Sequence, residues 1–429
     1  MITHGVVVVV QRWLLVLTLL CNGGIVSISG NKLDDVYKQL KQLNKPALKS
    51  IKSPDGDIID CVHISHQPAF DHPLLKNHTI QMRPSYHPEG LFEENKESIP
   101  KSNEGISKSI TQLWHLNGRC PEGTIPIRRT KKREILRASS IKSFGRKQHG
   151  TIPEPTMPTK PEPINLSAHQ HATVVVQGDK YYGTKATVNV WKPIVQQSNE
   201  FSLSQLWIMA GSYPSDLNTI EAGWQVFQDL YGDDNPRLFT YWTRDAYQQT
   251  GCYNLRCPGF IQTSNKMAMG GTISPISAYD ASQYEINFLV WKDTTRGEWW
   301  LQFGNEVVGY WPTSLFSYLH DGASQIQWGG EVLDYASGGQ HTTTQMGSGH
   351  FPEEGFGKAS YIKNIQIVDG SNKLIAPIGV STLAEQPNCY NVQIGKNSDW
   401  GNYIYYGGPG RNPNCETTEL IFYSLQCIL

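Results

Sequence analysis

The part of the chain that follows residue 164 is built from short runs in which apolar and polar side chains alternate, or in which β-branched and aromatic residues predominate. Clusters of Gly, Pro, Asn and Asp separate these runs, a pattern typical of β-strands joined by turns. The predicted strands are residues 172–177, 186–191, 203–210, 220–227, 238–243, 284–291, 298–303, 326–333, 361–368 and 403–406. Helical spacing is seen there only in residues 313–319. The pattern therefore predicts an all-β fold, an antiparallel two-sheet β-sandwich.

The first 29 residues predict a secretory signal peptide. An apolar run at residues 6–20, interrupted only by Arg12 and other isolated polar residues, is followed by small residues up to Gly30. The run is short for a membrane span, and the sequence contains no second stretch of about 18 apolar residues. We expect an exported protein, extracellular or apoplastic with the vacuole as another destination, and no membrane association after signal removal. An uncleaved membrane anchor is the alternative.

Residues 30–150 form a polar segment, which a proline-rich linker at 151–163 joins to the strand-rich residues 164–429. The segment opens with apolar residues at helical spacing between Leu33 and Leu43. Residues 128–147 hold nine Lys or Arg and a single Glu. We expect this basic run and the linker to form an exposed boundary that proteases reach.

The charge of the chain is divided unequally along its length. The formal net charge is −1, yet residues 1–163 carry 23 basic and 15 acidic side chains, and the remainder carries 14 and 23. Two halves of opposite net charge argue against a nucleic-acid enzyme and favour a basic segment that serves an acidic domain. Acid would weaken such an attraction, because carboxylates take up protons and the seven His of residues 31–163 gain charge near pH 5.

Seven cysteines follow the signal peptide, in an early, a middle and a late group. They are Cys61 and Cys120, then Cys252 and Cys257, then Cys389, Cys415 and Cys427. The middle pair encloses a tight loop, and no second Cys or His pair at zinc-ligand spacing lies near it, so we predict a disulfide bond there. An odd total leaves one late cysteine single, and the residues alone do not fix which one.

Two glutamates are the candidate catalytic residues, Glu221 and Glu331. Strand alternation places Glu221 on the polar face of residues 218–226 and Glu331 on that of residues 325–333, opposite apolar faces and beside glycines that leave room for a ligand. Paired carboxylates suffice for hydrolysis, because one activates water while the other donates a proton. The ordinary alternative is a solvated Glu on an exposed strand face.

Other kinds of site have weaker support in the sequence. Ser348 lies between two glycines but lacks the strand-to-helix setting of a nucleophile elbow. The nearest approach to a metal pair is His169-x-His171, at the edge of the linker. We find no nucleotide, phosphate or metal motif and expect no cofactor.

Several motifs resemble the plant neprosin family in consistent order. The first half carries Asp55-Gly-Asp-Ile-Ile-Asp-Cys61, Gln67-Pro-Ala-Phe-Asp-His-Pro73 and Cys120-Pro-Glu-Gly-Thr-Ile-Pro-Ile-Arg-Arg129, which resemble the activation segment of that family. The second half carries motifs similar to its catalytic domain. They are Tyr182-Gly-Thr-Lys-Ala186, Ser204-Gln-Leu-Trp207, Glu221-Ala-Gly-Trp224, Leu230-Tyr-Gly-Asp233, Trp328-Gly-Gly-Glu-Val332 and Tyr406-Gly-Gly-Pro-Gly-Arg411.

The resemblance implies a glutamic peptidase that cleaves after proline in acid and is made as an inactive precursor, with a sandwich of the lectin and glucanase type. It implies Glu221 and Glu331 as the catalytic pair, a Cys252–Cys257 disulfide loop, and the pro-segment as an intramolecular inhibitor. Cys389 with Cys415 is the preferred late pair. The expected substrate is a proline-containing peptide or protein, and no nucleic acid partner is expected.

Two other functions remain open at this stage. A two-glutamate, Trp-rich sandwich also suits an enzyme that acts on glycans. A secreted module that binds carbohydrate or protein without catalysis is the second alternative. The sequence also contains two Asn-x-Ser/Thr sites for N-linked glycans, Asn77 and Asn165.

Overall fold

In the computed structural model, residues 33–89, 111–147, 168–336 and 339–415 are described. Two large antiparallel sheets, one of nine strands and one of six, pack face to face. A three-stranded sheet and a two-stranded sheet complete the structure. The predicted all-β sandwich is confirmed, and the signal peptide and the proline-rich linker lie outside the described residues.

Helices are few and short in the described parts of the chain. The α-helices are α1 (33–43), α2 (Lys132–Arg137) and α3 (Gln228–Tyr231). The strands of the N-terminal segment are β1 (Ala47–Lys52), β2 (Ile58–His63), β3 (Thr111–Gln112) and β4 (Thr124–Arg128). The helix predicted between Leu33 and Leu43 is confirmed, whereas residues 313–319 contain only a single 3₁₀ turn, Thr313–Leu315.

The six-stranded sheet has the order β18-β5-β15-β7-β8-β9. Its strands are β5 (His169–Tyr181), β7 (Phe201–Ala210), β8 (Asn218–Phe227), β9 (Arg237–Thr243), β15 (Ala323–Leu333) and β18 (Ser381–Ala384). Alternation gives each strand one side chain set that faces the sandwich interior and one that faces away from it. The outward face of this sheet carries both candidate glutamates.

The nine-stranded sheet has the order β10-β14-β13-β12-β6-β16-β20-β19, with β17 paired to β16. Its strands are β6 (Gly183–Asn189), β10 (Ile261–Gln262), β12 (Glu285–Lys292), β13 (Trp299–Phe303), β14 (Glu306–Trp311), β16 (Ser360–Val368), β17 (Leu374–Ile375), β19 (Asn391–Asn397) and β20 (Gly401–Gly407). The main core lies between the two sheets and includes Trp224 and Trp328, both fully buried. Burial of such large aromatic surfaces provides the main drive for the two sheets to associate.

The N-terminal segment is packed tightly on the sandwich. Strands β1, β2 and β4 form its own sheet, and β3 pairs with β11 (Ile273–Ser274) of the strand-rich part. Val62, Ala69 and Leu75 belong to the main hydrophobic core. The segment therefore shares a core with the domain that it covers.

The expectation that residues 128–147 form an exposed basic run is met only in part, because Arg133, Lys142 and Arg146 are exposed and two other basic residues are not. Arg128 is buried between Asp57 and Glu134, and the Lys147 side chain is only 5% exposed. Charged groups are buried here because each faces a carboxylate. The run packs against the domain and is not a protease-accessible boundary at these two positions.

Three disulfide bonds join Cys61 to Cys120, Cys252 to Cys257, and Cys389 to Cys415. The Cys252–Cys257 and Cys389–Cys415 bonds are the pairs expected from the sequence and from the family resemblance, and the third bond joins the two early cysteines. Cys427 lies outside the described residues. Within those residues no helix combines the length and the apolar character needed to cross a bilayer.

We predict N-linked glycans at Asn77 and Asn165 of the secreted protein. Asn77 is exposed beside the 3₁₀ turn Pro73–Leu75, so an oligosaccharide there meets no packing barrier. Asn165 lies outside the described residues. Treatment of secreted protein with an N-glycosidase should lower its mass at both sites by mass spectrometry. An unchanged mass would count against passage through the glycosylating pathway.

Candidate active site

Glu221 and Glu331 lie on the same face of the six-stranded sheet, separated by β7. Trp207 of that strand pairs with Glu221, and Leu203 pairs with Glu331. Neither glutamate is solvated, since Glu221 is 0% and Glu331 2% exposed. The predicted strand faces are confirmed, and the two carboxylates are brought together beneath the N-terminal segment.

Gln205 lies between the two glutamates and was not identified from the sequence. Its Nε2 is 3.1 Å from Oε2 of Glu221 and 3.5 Å from Oε2 of Glu331. The residues paired with it on the flanking strands are Gly223 and Gly329. Its neighbours on the same face of β7, Leu203, Trp207 and Met209, are apolar, so strand alternation gave no indication of a site at Gln205.

The glycines beside Gln205 serve a purpose different from the one predicted. A Cβ on Gly223 would lie 2.0 Å from the Ser204 carbonyl oxygen and 2.7 Å from Cβ of Gln205. One on Gly329 would lie 2.3 Å from the Ala172 carbonyl oxygen. Glycine is therefore needed for close approach of neighbouring strands, and not for room above the sheet.

Neutral donors and one cation surround the Glu221 carboxylate. Tyr247 donates its hydroxyl to Oε1 at 2.7 Å, and Thr219 donates to the same oxygen at 3.0 Å. Gln205 and Lys147 approach Oε2. Burial raises the pKa of Tyr247 well above its ordinary value, and the charge of Glu221 adds to this, so Tyr247 remains a proton donor.

Basic groups surround the Glu331 carboxylate. Its Oε1 is 2.5 Å from Nδ1 of His169 and 3.9 Å from Nε2 of His171, and its Oε2 is 3.3 Å from Nζ of Lys147. Burial alone would raise the pKa of Glu331, but Lys147, His169 and His171 together lower it well below its usual range. Glu331 is therefore ionised in this state of the protein.

Glu385 links this group to the surface. It accepts hydrogen bonds from the His171 backbone at 2.5 Å and contacts Nδ1 of the same residue at 3.0 Å. Burial lowers the pKa of His171, but Glu385 and then Glu331 raise it above its ordinary value. The two histidines noted as a weak metal pattern are thus carboxylate partners.

Lys147 of the N-terminal segment occupies the space between the two glutamates. Its ammonium is 2.6 Å from Oε2 of Glu221 and 3.3 Å from Oε2 of Glu331. Burial alone would lower the pKa of Lys147, but the two carboxylates raise it above its ordinary value. The cation therefore offsets one of the two negative charges and blocks access to the pair.

The backbone of residues 145–147 is held in the cleft by hydrogen bonds. The Tyr253 N–H donates to the carbonyl of Gly145 at 2.8 Å, and the Lys147 N–H donates to the Tyr241 hydroxyl at 3.2 Å. A cavity of about 320 Å³ remains beside this stretch, between the segment and the domain. The segment thus lies across the site, and Gly145 makes a turn there with a φ of 76°.

A second buried charge network fixes the segment away from the dyad. Asp57 Oδ2 lies 2.7 Å from Arg128 and 2.6 Å from Arg237, and Glu134 lies 2.8 Å from Arg128 and 3.3 Å from Arg256. Burial would raise the pKa of Asp57, but Arg237 and Arg128 hold it well below the usual range. Two of these pairs, Asp57 with Arg237 and Glu134 with Arg256, place acidic groups of the basic half against arginines of the acidic half, which net charge did not predict.

The described residues contain one cluster with metal-ligand spacing, His341 with Cys389 and Cys415. Both cysteines are joined in a disulfide bond and their sulfurs are not available as thiolate ligands. The cluster does not fit a metal ion.

The sequence matches two protein-family descriptions, Neprosin over residues 198–409 and Neprosin activation peptide over residues 50–175. The structure is similar to Scytalido-glutamic peptidase with a peptide-based transition state analog, at 10% identity and a TM-score of 0.31 over 56% of this chain and 98% of that one. It is similar to SCP-B, a member of the Eqolisin family of peptidases, at 11% identity and a TM-score of 0.30 over 56% and 96%. A homodimeric agglutinin from chicken liver matches at 11% identity and a TM-score of 0.20 over 37% and 92%.

Proposed function

Because this chain belongs to the neprosin family and carries the activation peptide of that family, we propose that it is a glutamic endopeptidase, made as a zymogen, that cleaves after proline in acid. The proposal rests on the pair of buried carboxylates, Glu221 and Glu331. They lie on either side of Gln205 and are covered by Lys147. Secretion follows from the predicted signal peptide and belongs to the same proposal.

The different surroundings of the two glutamates support different roles for them. Once Lys147 has left the cleft, two buried carboxylates cannot both remain ionised at low cost, and they share one proton. His169 and His171 favour the ionised form of Glu331, whereas the partners that remain to Glu221 are the neutral Tyr247, Thr219 and Gln205. In this proposal Glu221 is accordingly the general acid and Glu331 the general base.

Hydrolysis then proceeds by general acid–base catalysis. Glu331 takes a proton from water, the hydroxide attacks the peptide carbonyl, and Glu221 gives its proton to the departing amine. Gln205 Nε2 and the Tyr247 hydroxyl are donors within reach of the same space and stabilise the oxyanion. After one turnover Glu331 holds the proton and Glu221 is ionised, and one proton exchange through solvent restores the starting state without a covalent intermediate.

The activity is tested by incubating the acid-treated protein with a proline-containing peptide at pH 4 and with a soluble β-glucan. Cleavage on the carboxyl side of proline, identified by mass spectrometry, is the expected result. Cleavage of the glucan alone would favour the glycan-acting alternative, and cleavage of neither would favour a binding module.

We expect maturation by self-cleavage in the linker at residues 151–163, which holds five prolines and lies outside the described residues. The described residues that flank the linker, Lys147 and Ala168, both lie at the site. Lys147 contacts the glutamates, and Ala168 immediately precedes His169, which contacts Glu331. Acidified Glu331→Gln precursor should stay intact while wild type is cut in the linker, as followed by mass spectrometry. Equal cutting of both would assign maturation to an external protease.

A further inference from the structure

Glu385 is a surface carboxylate that lies behind the two histidines of the candidate active site. It follows β18 directly, at the edge of the six-stranded sheet, and its side chain is 33% exposed. Its Oε2 accepts the backbone N–H of His171 at 2.5 Å, and its Oε1 is 3.0 Å from Nδ1 of the same residue. Glu385 therefore fixes both the backbone and the ring of His171 from one side.

The other nitrogen of the His171 ring faces the candidate base. Its Nε2 is 3.9 Å from Oε1 of Glu331, the same oxygen that Nδ1 of His169 approaches at 2.5 Å. The His171 side chain is only 4% exposed, so water does not screen these contacts well. The imidazole thus lies in line between a carboxylate at the surface and a carboxylate of the dyad.

A neutral imidazole does not suit a position between two carboxylates. One of its ring nitrogens carries a hydrogen and the other a lone pair, and that lone pair would face a negative oxygen of either Glu385 or Glu331. The imidazolium has a hydrogen on both nitrogens, so the two contacts favour the charged ring. The direction of the pKa agrees, since burial lowers the pKa of His171 but Glu385 and then Glu331 raise it above its ordinary value.

Release of the activation segment preserves this arrangement. His171 and the two carboxylates follow the linker in sequence and remain with the domain, whereas Lys147, whose charge opposes that of His171, precedes the linker and leaves. The loss of Lys147 therefore favours the charged form of His171 further. The other groups that face the ring stay in place, namely His169 on the same strand and Trp207 on β7, with ring centres at 6.5 and 6.1 Å.

We propose that Glu385 is a positioning residue of the peptidase, which keeps His171 charged and oriented toward Glu331 and thereby sets the lowest pH at which the enzyme works. This role deepens the proposed peptidase function and rests on it. A general base has to be ionised, and kcat/KM falls in acid as that base takes up a proton. Because the imidazolium lies between Glu385 and Glu331, the ion pair presents its positive side to the base and resists that proton uptake.

The test uses full-length protein that has been acidified until cleavage of a proline-containing peptide reaches a plateau. The measured quantity is the acid midpoint, the pH on the acid side at which kcat/KM is half of its maximum. Glu385→Gln keeps the shape of the side chain and an acceptor for the His171 N–H, and should raise the acid midpoint by about one unit or more. His171→Gln should raise it by a similar amount, and the double variant should raise it no further, because Glu385 acts through His171.

Glu354→Gln is the matched control. Glu354 lies 2.8 Å from Nδ1 of His350, so this change removes a carboxylate from a comparable pair outside the six-stranded sheet, and the acid midpoint should stay at the wild-type value. An acid midpoint that is unchanged or lowered in Glu385→Gln, or shifts that add in the double variant, would overturn the role. A loss of kcat/KM that is equal at every pH would also overturn it, since it indicates a structural contribution alone. Failure of the wild type to cleave the peptide at any pH would instead refute the peptidase function.

Discussion

Replacement of Glu221 or Glu331 by Gln is expected to lower kcat/KM for a proline-containing peptide by a factor of about 100 or more, because each change keeps the shape of the side chain and removes its proton chemistry. Both side chains are buried on β-strands. Their hydrogen-bond partners can also bond to the amide of a Gln at the same position. The fold should therefore persist, as measured by Tm and circular dichroism. Assays on acid-matured material require each variant to be processed in trans by wild-type enzyme.

The double variant provides a further test of the same pair. Since the two groups act in one step, the loss in the double variant should be close to that of the more damaged single variant. Glu354→Gln, at an exposed site, is the control for loss of one carboxylate and should keep full activity. Retention of more than about a tenth of wild-type activity by either single variant would contradict the assignment.

Replacement of Lys147 by Met is expected to raise the pH at which half of the precursor matures by about one unit or more. In the wild type the ammonium lies between two buried carboxylates and offsets one of their two negative charges. Removal of one partner from a buried ion pair typically costs about 3–5 kcal/mol. In Lys147→Met, the state in which the segment covers the dyad is therefore less stable near neutral pH than in the wild type. Glu221 and Glu331 then face each other without the cation.

The covered state is the one in which Lys147 lies over the dyad, and the pKa of Glu331 is lowered in that state. This lowered pKa determines whether acid stabilises or destabilises the covered state of the wild type. A depressed carboxylate pKa stabilises the covered state above the ordinary Glu pKa, about 4.3, and this contribution is lost as the pH falls toward the depressed value. Acid therefore favours release of Lys147. The depressed pKa of Asp57 acts in the same direction.

Maturation of the Lys147→Met precursor is measured by gel electrophoresis and mass spectrometry after incubation at a series of pH values from 3 to 7. Lys142→Met removes the same charge from an exposed position of the same segment and should mature as wild type does. If the pH at which half of the precursor matures is the same in Lys147→Met and Lys142→Met, Lys147 is excluded as the group that holds the segment over the dyad.

The ten strands predicted from the sequence are all present, because period-two alternation is a local property that survives in the folded sheet. Two longer strands of the strand-rich part, β14 and β19, were missed, and β1, β2 and β4 of the N-terminal segment were not predicted either. Strand β19 has an exposed and mostly polar sequence at the sheet edge, so burial does not impose an apolar face on it. Strand β14 follows β13 after a two-residue turn, and its sequence merges with that of its neighbour.

The sequence by itself determined the class of fold, the strand faces of Glu221 and Glu331, and the presence of a charged activation segment. Only the tertiary structure decided that Gln205 lies between the glutamates, that Lys147 covers them, and that Arg256 depends on Glu134. The physical reason is the distance along the chain over which each kind of interaction acts. Alternation and turn residues act between neighbours in the chain, whereas these contacts join residues far apart in sequence and depend on strand register and on which charges are buried together.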